Sequence, residues 1–258
     1  MKLDRFGTGP RTFLGIHGWA GNRRTFRRLL AYLPSDATFY TGDLPGCGDA
    51  PRTSRIDLDT VMSAVLDAMH RISDPQLTLV GHCGGALLAL EALRVGVGLA
   101  RRAVLIEPFG YAPLYFRIFT WGDFGRYAYL TTFANPLGRI VTNGALVRKR
   151  TGGANLTNAF KAVDHETALD YIRLYCAMRP AERFAGITNP VDVAYGERTF
   201  AAVRRSIPFW RSVLPNVRCT ELQGAGHEPI REATEQLAAV VFGAAPDAAS
   251  APSRETPC

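Results

Sequence analysis

Short apolar runs alternate with segments of helical period along most of this chain. Between the runs, apolar residues recur every three to four positions, as at 26–33 and 61–72, which predicts helices. Strands that alternate with helices predict an α/β fold, a mainly parallel sheet with helices on both faces. The apolar runs that predict strands lie at residues 12–16, 37–40, 77–80, 103–106, 191–195 and 217–222.

The alternation breaks between residues 109 and 187, where no apolar run predicts a strand. This stretch is rich in aromatic residues at first and has helical spacing later. Ligand sites in such sheets lie at the carboxyl ends of the strands, so we expect this insertion to form a helical lid over that edge. The aromatic residues expected to roof an apolar pocket are Tyr111, Tyr115, Phe116, Phe119, Trp121 and Phe124.

The pattern divides the chain into four parts. Residues 1–108 form the first part of the core, residues 109–187 the lid and residues 188–243 the second part of the core. The last residues, 244–258, are mostly Ala, Pro, Ser and charged residues, which predicts a disordered tail.

Composition narrows the choice of partners. The 258 residues are 47% hydrophobic and carry a net charge of +7, and no apolar run approaches the length of a membrane span. The basic residues are spread along the chain without a long run, which favours a solvated basic surface over a nucleic-acid site. We therefore expect a small-molecule substrate, no nucleic acid and no membrane span.

The cysteines and histidines show no metal or disulfide pattern. None of the five cysteines forms a CxxC pair, and their odd number is typical of reduced thiols in the cytoplasm, where we expect the protein. The five histidines show neither an HExxH motif nor zinc-site spacing. The sequence predicts no metal and no organic cofactor.

The strongest chemical signal is GHCGG at residues 81–85. It follows a predicted strand and precedes an apolar helix, which is the pattern of a nucleophile elbow with Cys83 in place of the usual serine. Glycines on both sides of the turn allow the strand and the helix to approach each other closely. The start of a helix also favours a thiolate. We predict that Cys83 is the nucleophile; the alternative is a buried cysteine that only packs between strand and helix.

Two further segments lie where partners of this nucleophile are needed. His227 follows the last predicted strand, and a histidine in that loop can act as the base. Trp19 follows the first run, so its backbone N–H and that of Gly84 can form an oxyanion hole. His17 and His82 are expected to have structural roles.

In these segments the chain resembles the α/β-hydrolase superfamily. The matching pieces are IHGW at 16–19, DLPGCG at 43–48, GHCGG at 81–85 and Gly226-His227, in the family's order. The resemblance implies an eight-stranded, mostly parallel sheet and a triad of nucleophile, acid and histidine. It also implies hydrolysis or transfer of an acyl group from an ester, thioester or lactone. The cysteine nucleophile resembles that of dienelactone hydrolases.

The acid of the triad departs from the family's pattern. The family usually has Asp a few residues after the strand at 191–195, where this chain has Glu197 and Thr199. Glu107 ends the previous strand, and some haloalkane dehalogenases and lipases resemble that arrangement. We favour Glu107 as the acid, with Glu197 as the alternative.

These observations predict a hydrolase that forms an acyl-cysteine intermediate. Cys83 attacks a carbonyl, His227 carries the proton and Glu107 orients His227. One alternative is an acyltransferase that uses the same intermediate, and another is a non-catalytic binding protein on the same fold.

Overall fold

A single mixed sheet forms the centre of the protein. This computed structural model describes residues 1–148, 157–178 and 183–243. The strand order is β1-β3-β2-β4-β5-β6-β7, and only β1 runs antiparallel to its neighbour. The strands are β1 (Leu3–Gly7), β2 (Arg11–Ile16), β3 (Ala37–Gly42), β4 (Thr78–His82), β5 (Arg102–Ile106), β6 (Val191–Gly196) and β7 (Val217–Leu222).

Helices cover both faces of this sheet. The α/β prediction is confirmed, but the described part of the chain has seven strands where eight were expected. The helices are α1 (Leu58–Ile72), α2 (Gly84–Val95), α3 (Leu114–Arg117), α4 (Gly122–Tyr129), α5 (Pro136–Arg148), α6 (His165–Ala177), α7 (Ala201–Val213), α8 (Pro229–Glu232) and α9 (Thr234–Phe242).

The alternation of side chains along the central strands creates two apolar layers. Leu79 and Leu105 point to the face covered by α1, α2 and α7. Their neighbours Val80 and Val104 point to the opposite face, where α9 packs. All four are fully buried, as expected for parallel strands enclosed on both faces.

Two features differ from the prediction at the amino-terminal side. The helix predicted over 26–33 is replaced by two 3₁₀ turns, Arg23–Phe26 and Leu29–Tyr32. Phe26 and Leu29 are the buried residues of these turns, and their three-residue spacing fits a 3₁₀ helix. The first strand, β1, was not predicted because it is a largely exposed edge strand without an apolar run.

The described residues between β5 and β6 form helices and contain no strand. The lid boundaries at 109 and 187 stay a prediction, and the predicted tail at 244–258 lies outside the described residues. Among the described helices, none is long and apolar enough to cross a membrane. The cytoplasmic location stays a prediction as well.

A buried ion pair joins the amino ends of β5 and β6. Arg102 donates to Asp192 through Nε at 2.7 Å, and each residue is 3% exposed. The same guanidinium donates to the Val240 and Val241 carbonyls near the end of α9, so the pair connects two strands to a helix. Removal of one partner of such a pair leaves an uncompensated charge in the core.

We predict that Asp192→Ala lowers the free energy of unfolding by about 3–5 kcal/mol, because Arg102 is left buried without its carboxylate. The matched control is Asp36→Ala, which breaks the exposed pair that Asp36 makes with Arg11 at 2.9 Å and is expected to cost less than about 1 kcal/mol. Urea denaturation of both variants measures the difference. Equal losses would contradict the structural role of the buried pair.

Candidate active site

Cys83 lies in a strained turn between β4 and α2. Its backbone has φ 52° and ψ −117°, a conformation that residues with a side chain rarely adopt. Its N–H donates to the carbonyl of Ile106 at 2.8 Å, which ties the turn to β5. A Cβ on Gly81 would lie 2.5 Å from Cα of Ala86, so only glycine allows this close approach of strand and helix. The predicted elbow geometry is therefore present.

Glu107 is in a second strained position, immediately after β5. Its φ is 57°, and its N–H donates to the carbonyl of Ala194 at 2.9 Å. The side chain is fully buried. One carboxylate oxygen, Oε1, accepts the N–H of Gly196 at 2.6 Å, and the other, Oε2, accepts the hydroxyl of Thr199.

His227 connects this carboxylate to the elbow. Its Nδ1 lies 2.7 Å from Oε2 of Glu107. Burial alone lowers the pKa of His227, but its interactions with the side chains of Cys83 and Glu107 outweigh burial and raise the pKa to about 10. The imidazole is therefore held in its protonated form at neutral pH. The structure brings Cys83, His227 and Glu107 together as the sequence predicts.

Glu197 lies outside this cluster. Its Oε2 accepts the N–H of Gly224 at 2.8 Å, an exposed contact, and no hydrogen bond joins it to His227 in the described structure. Thr199 stands near the place where the family usually has Asp, and here it donates to Glu107 instead. The sequence drew attention to Thr199 but gave no signal for its role as a donor.

The loop after β2 packs against the elbow from the other side. A Cβ on Gly18 would lie 2.9 Å from Cβ of Cys83 and 3.4 Å from the nitrogen of Gly84, so the loop and the start of α2 are in close contact. Trp19 follows directly, and both Trp19 and Gly84 border the cavity next to Cys83. This placement agrees with the predicted pair of oxyanion donors, which stays a prediction.

His17 and His82 are buried beside the site. The N–H of Leu44 donates to Nε2 of His17 at 3.1 Å, and Nδ1 lies 3.0 Å from the carbonyl of Gly18. Burial lowers the pKa of His17 to about 4, so it stays neutral and structural. The His82 ring lies 6.1 Å from that of His227, and burial lowers its pKa too.

An apolar cavity opens next to the thiol of Cys83. It has a volume of about 40 Å³, so it is narrow, and it lies between the core and the helices inserted before β6. Of the predicted roof, Tyr111 and Phe116 line it, whereas Trp121 and Phe124 are 54% and 66% exposed. The other lining residues are Trp19, Gly84, Leu87, Phe109, Ala112, Pro113, Ile172, Tyr175 and Cys176.

Phe119 does not line the cavity and packs against Tyr129 and Phe133, in an aromatic cluster that also includes Trp19. The side chain of Tyr115 is not among those that the structure describes. Within the described ranges, no group of three or more His, Cys, Asp or Glu side chains is arranged to hold a metal ion.

Comparison with known proteins identifies the family. The sequence profile of the "Alpha/beta hydrolase family" matches residues 13–240, and the chain therefore belongs to that family. The structure of an esterase (EaEST) from Exiguobacterium antarcticum superposes with a TM-score of 0.77 over 93% of both chains. Its sequence identity is 12%, so this likeness concerns the fold alone.

Two curated relatives match part of the chain. A pimeloyl-[acyl-carrier protein] methyl ester esterase from Methylococcus capsulatus is 33% identical over 106 residues, which is 41% of this chain and 40% of the relative. Lipase LipV from Mycobacterium tuberculosis is 28% identical over 109 residues, 42% of this chain and 41% of the relative. The matched stretches thus span less than half the length of these relatives.

Two variants test whether Glu107 or Glu197 is the acid of the triad. Glu107→Gln is expected to reduce turnover of p-nitrophenyl acetate by roughly a hundredfold or more, because the imidazolium loses its carboxylate and its orientation. Glu197→Gln is expected to keep turnover within about twofold, since it contacts a loop N–H only. Circular dichroism establishes that both variants are folded. An inactive Glu197→Gln beside a normal Glu107→Gln would assign the acid to the later strand.

Proposed function

We propose that this member of the alpha/beta hydrolase family hydrolyses a carboxylic ester or thioester through an acyl-Cys83 intermediate. The observation that carries the proposal is the contact of Cys83, His227 and Glu107 at the carboxyl edge of the sheet, where Cys83 lines an apolar cavity. The esterase and lipase names of the two partial relatives support ester substrates.

The reaction begins with attack of the Cys83 thiolate on the carbonyl carbon. A C–S bond forms, and the electron pair of the carbonyl π bond moves to oxygen to give a tetrahedral oxyanion. The N–H groups of Trp19 and Gly84 hold this oxyanion. When the carbonyl re-forms, the bond to the alcohol oxygen breaks, and the His227 imidazolium gives its proton to the departing alkoxide.

Release of the acyl group uses the same residues in reverse. His227, now neutral, takes a proton from water, and the resulting hydroxide attacks the acyl carbon. The second tetrahedral intermediate collapses, the C–S bond breaks and the acid leaves. Glu107 keeps its negative charge throughout and stabilises the imidazolium each time it forms.

The cavity indicates the kind of acyl group. Its lining is almost wholly apolar, which suits an apolar group rather than a charged one. Seven of the lining residues lie between β5 and β6 at positions 111–116 and 172–176 that the sequence assigns to the lid. We therefore propose that residues 109–187 act as a lid that closes over apolar esters.

Variants of two cysteines that line the same cavity test whether Cys83 is the nucleophile. Cys83→Ala is expected to abolish turnover of p-nitrophenyl acetate, at least a thousandfold, because no thiolate remains beside His227. Cys176→Ala is the matched control and is expected to stay within about twofold of wild type. Burial raises the pKa of Cys176 to about 11, so that thiol is protonated at neutral pH and a poor nucleophile.

Intact-protein mass spectrometry completes this test. Brief acidic quenching of the wild type with substrate is expected to show one acetyl group, which peptide mapping locates on Cys83. An acetyl group on Cys176, or full activity of Cys83→Ala, would contradict the proposal. Transfer to added methanol in preference to water would reveal an acyltransferase, and absence of any adduct would favour a binding protein.

The raised pKa of His227 predicts a pH dependence that differs between leaving groups. An alkyl alkoxide needs the imidazolium proton, so kcat/KM for an ethyl ester should hold from pH 7 to 9 and fall as pH rises through about 10. A p-nitrophenolate leaves without that proton, so kcat/KM for the aryl ester should show no such fall.

The direction of the pKa shift of His227 also predicts what happens when the Glu107 carboxylate is removed. Glu107 raises the pKa of His227, so Glu107→Gln should move the alkaline fall of the ethyl ester toward lower pH. Titration of released acid measures the ethyl ester, with correction for the reaction without enzyme. A fall at the same pH in both proteins, or an equal fall for the aryl ester, would rule out His227 as the proton donor.

A further inference from the structure

The hydroxyl of Tyr175 is buried beside the nucleophile without a protein partner. Tyr175 lies near the end of α6 and lines the apolar cavity together with Cys83 and Gly84. Its hydroxyl oxygen is shielded from solvent, and no described residue makes a hydrogen bond to it. A buried polar group without a partner is costly, so its presence in a cavity wall points to a ligand atom.

Tyr171, one turn earlier on the same helix, shows how such a hydroxyl is ordinarily satisfied. Its hydroxyl donates to the carbonyl of Pro45 at 3.0 Å. The two rings are 5.9 Å apart, yet Tyr171 does not line the cavity. The chain therefore offers a partnered and an unpartnered tyrosine in nearly the same surroundings.

The ring of Tyr175 lies directly beside Gly84 at the start of α2. A Cβ on Gly84 would collide with the Tyr175 ring, and Cζ, which carries the hydroxyl, is the atom it would meet first. Gly84 is the first residue of α2, and its N–H is one of the two proposed oxyanion donors. The phenol thus lies against the place where negative charge would develop.

The ionisation of Tyr175 is consistent with a donor. Burial raises its pKa well above the ordinary value, and the nearby thiols of Cys47 and Cys83 raise it further. The hydroxyl therefore keeps its proton throughout the neutral range. Because no neighbouring acceptor engages this proton, it is available to a substrate oxygen.

We propose that the Tyr175 hydroxyl is a third donor to the oxyanion, next to the backbone N–H of Gly84. This inference rests on the proposed attack of Cys83 on a carbonyl. In the resting enzyme the hydroxyl has no acceptor among the described residues, whereas the tetrahedral oxyanion provides a charged acceptor. The hydrogen bond is then stronger in the transition state than in the ground state, as catalysis requires.

The experiment compares two reactions of the same thiol. Acylation of Cys83 by p-nitrophenyl acetate forms an oxyanion. Methylation by methyl iodide forms a C–S bond as iodide leaves, with no carbonyl and no oxyanion. We expect Tyr175→Phe to slow acylation by roughly ten- to a thousandfold and to leave methylation of Cys83 within about twofold of wild type.

Tyr171→Phe is the matched control, and thermal unfolding is the second readout. Tyr175→Phe removes an unpartnered hydroxyl, so its Tm should equal or exceed that of wild type. Tyr171→Phe removes a made hydrogen bond, so its Tm should fall by about 2–4 °C while acylation stays within about twofold. Stopped-flow release of p-nitrophenolate gives the acylation rates, and peptide mass spectrometry gives the methylation rates.

Each outcome decides the inference. Slower acylation with normal methylation supports it. Acylation by Tyr175→Phe at the wild-type rate overturns it, and so does an equal fall in both reactions, because Tyr175 would then act on the thiol. Methylation of wild-type Cys83 without any acylation is the distinct sign that the proposed function has failed, and the donor role falls with it.

Discussion

The buried carboxylate of Glu107 is the constraint on which the geometry of the site depends. It is fully enclosed, so its charge must be compensated by neighbours rather than by water. The N–H of Gly196, the hydroxyl of Thr199 and the ring of His227 all meet its two oxygens. Because one of these neighbours is titratable, the cost of the buried negative charge is offset by a proton held on His227.

Parallel strands explain how an acid on β5 can serve a histidine that the family usually pairs with an acid after β6. Adjacent strands lie only about 4.8 Å apart, so one strand's end is within a side chain's reach of the next. Glu107 follows β5, which is the neighbour of the strand that leads to Cys83. The N–H of Cys83 donates to the carbonyl of Ile106, the residue before Glu107. The last residue of β6, Gly196, and Thr199 in the loop after it then supply donors, where a carboxylate would repel.

The sequence predicted the parts of this site that depend on backbone geometry. The glycines around Cys83 are needed wherever a strand turns sharply into a helix, and the position of His227 after the last strand follows from the order of the elements. The choice of Glu107 over Glu197 also came from its place at a strand end. The edge strand β1 was not predicted, because its largely exposed sequence contains no apolar run.

Features that depend on the packing of the inserted helices were beyond the sequence. Aromatic residues at 111–124 gave no sign of which would face inward, and the structure places Phe116 on the cavity and exposes Trp121. Likewise, the sequence does not distinguish the roles of Tyr171 and Tyr175, which lie one turn apart on α6. In the folded protein Tyr171 meets the carbonyl of Pro45, whereas Tyr175 packs on Gly84 and its hydroxyl has no partner among the described residues.

Strand β5 has a buried charge pair at each end, and the contrast between the two pairs separates stability from chemistry. At the amino ends, Arg102 and Asp192 are enclosed by protein, and the remaining guanidinium protons reach carbonyls of α9. After the carboxyl end of β5, Glu107 pairs with His227, which contacts Cys83, a residue with a strained backbone that lines the cavity. Strained backbone persists only where the surrounding structure supports it. The pair of Arg102 and Asp192 is placed to hold the two strands together, and the pair of Glu107 and His227 is placed to act on Cys83.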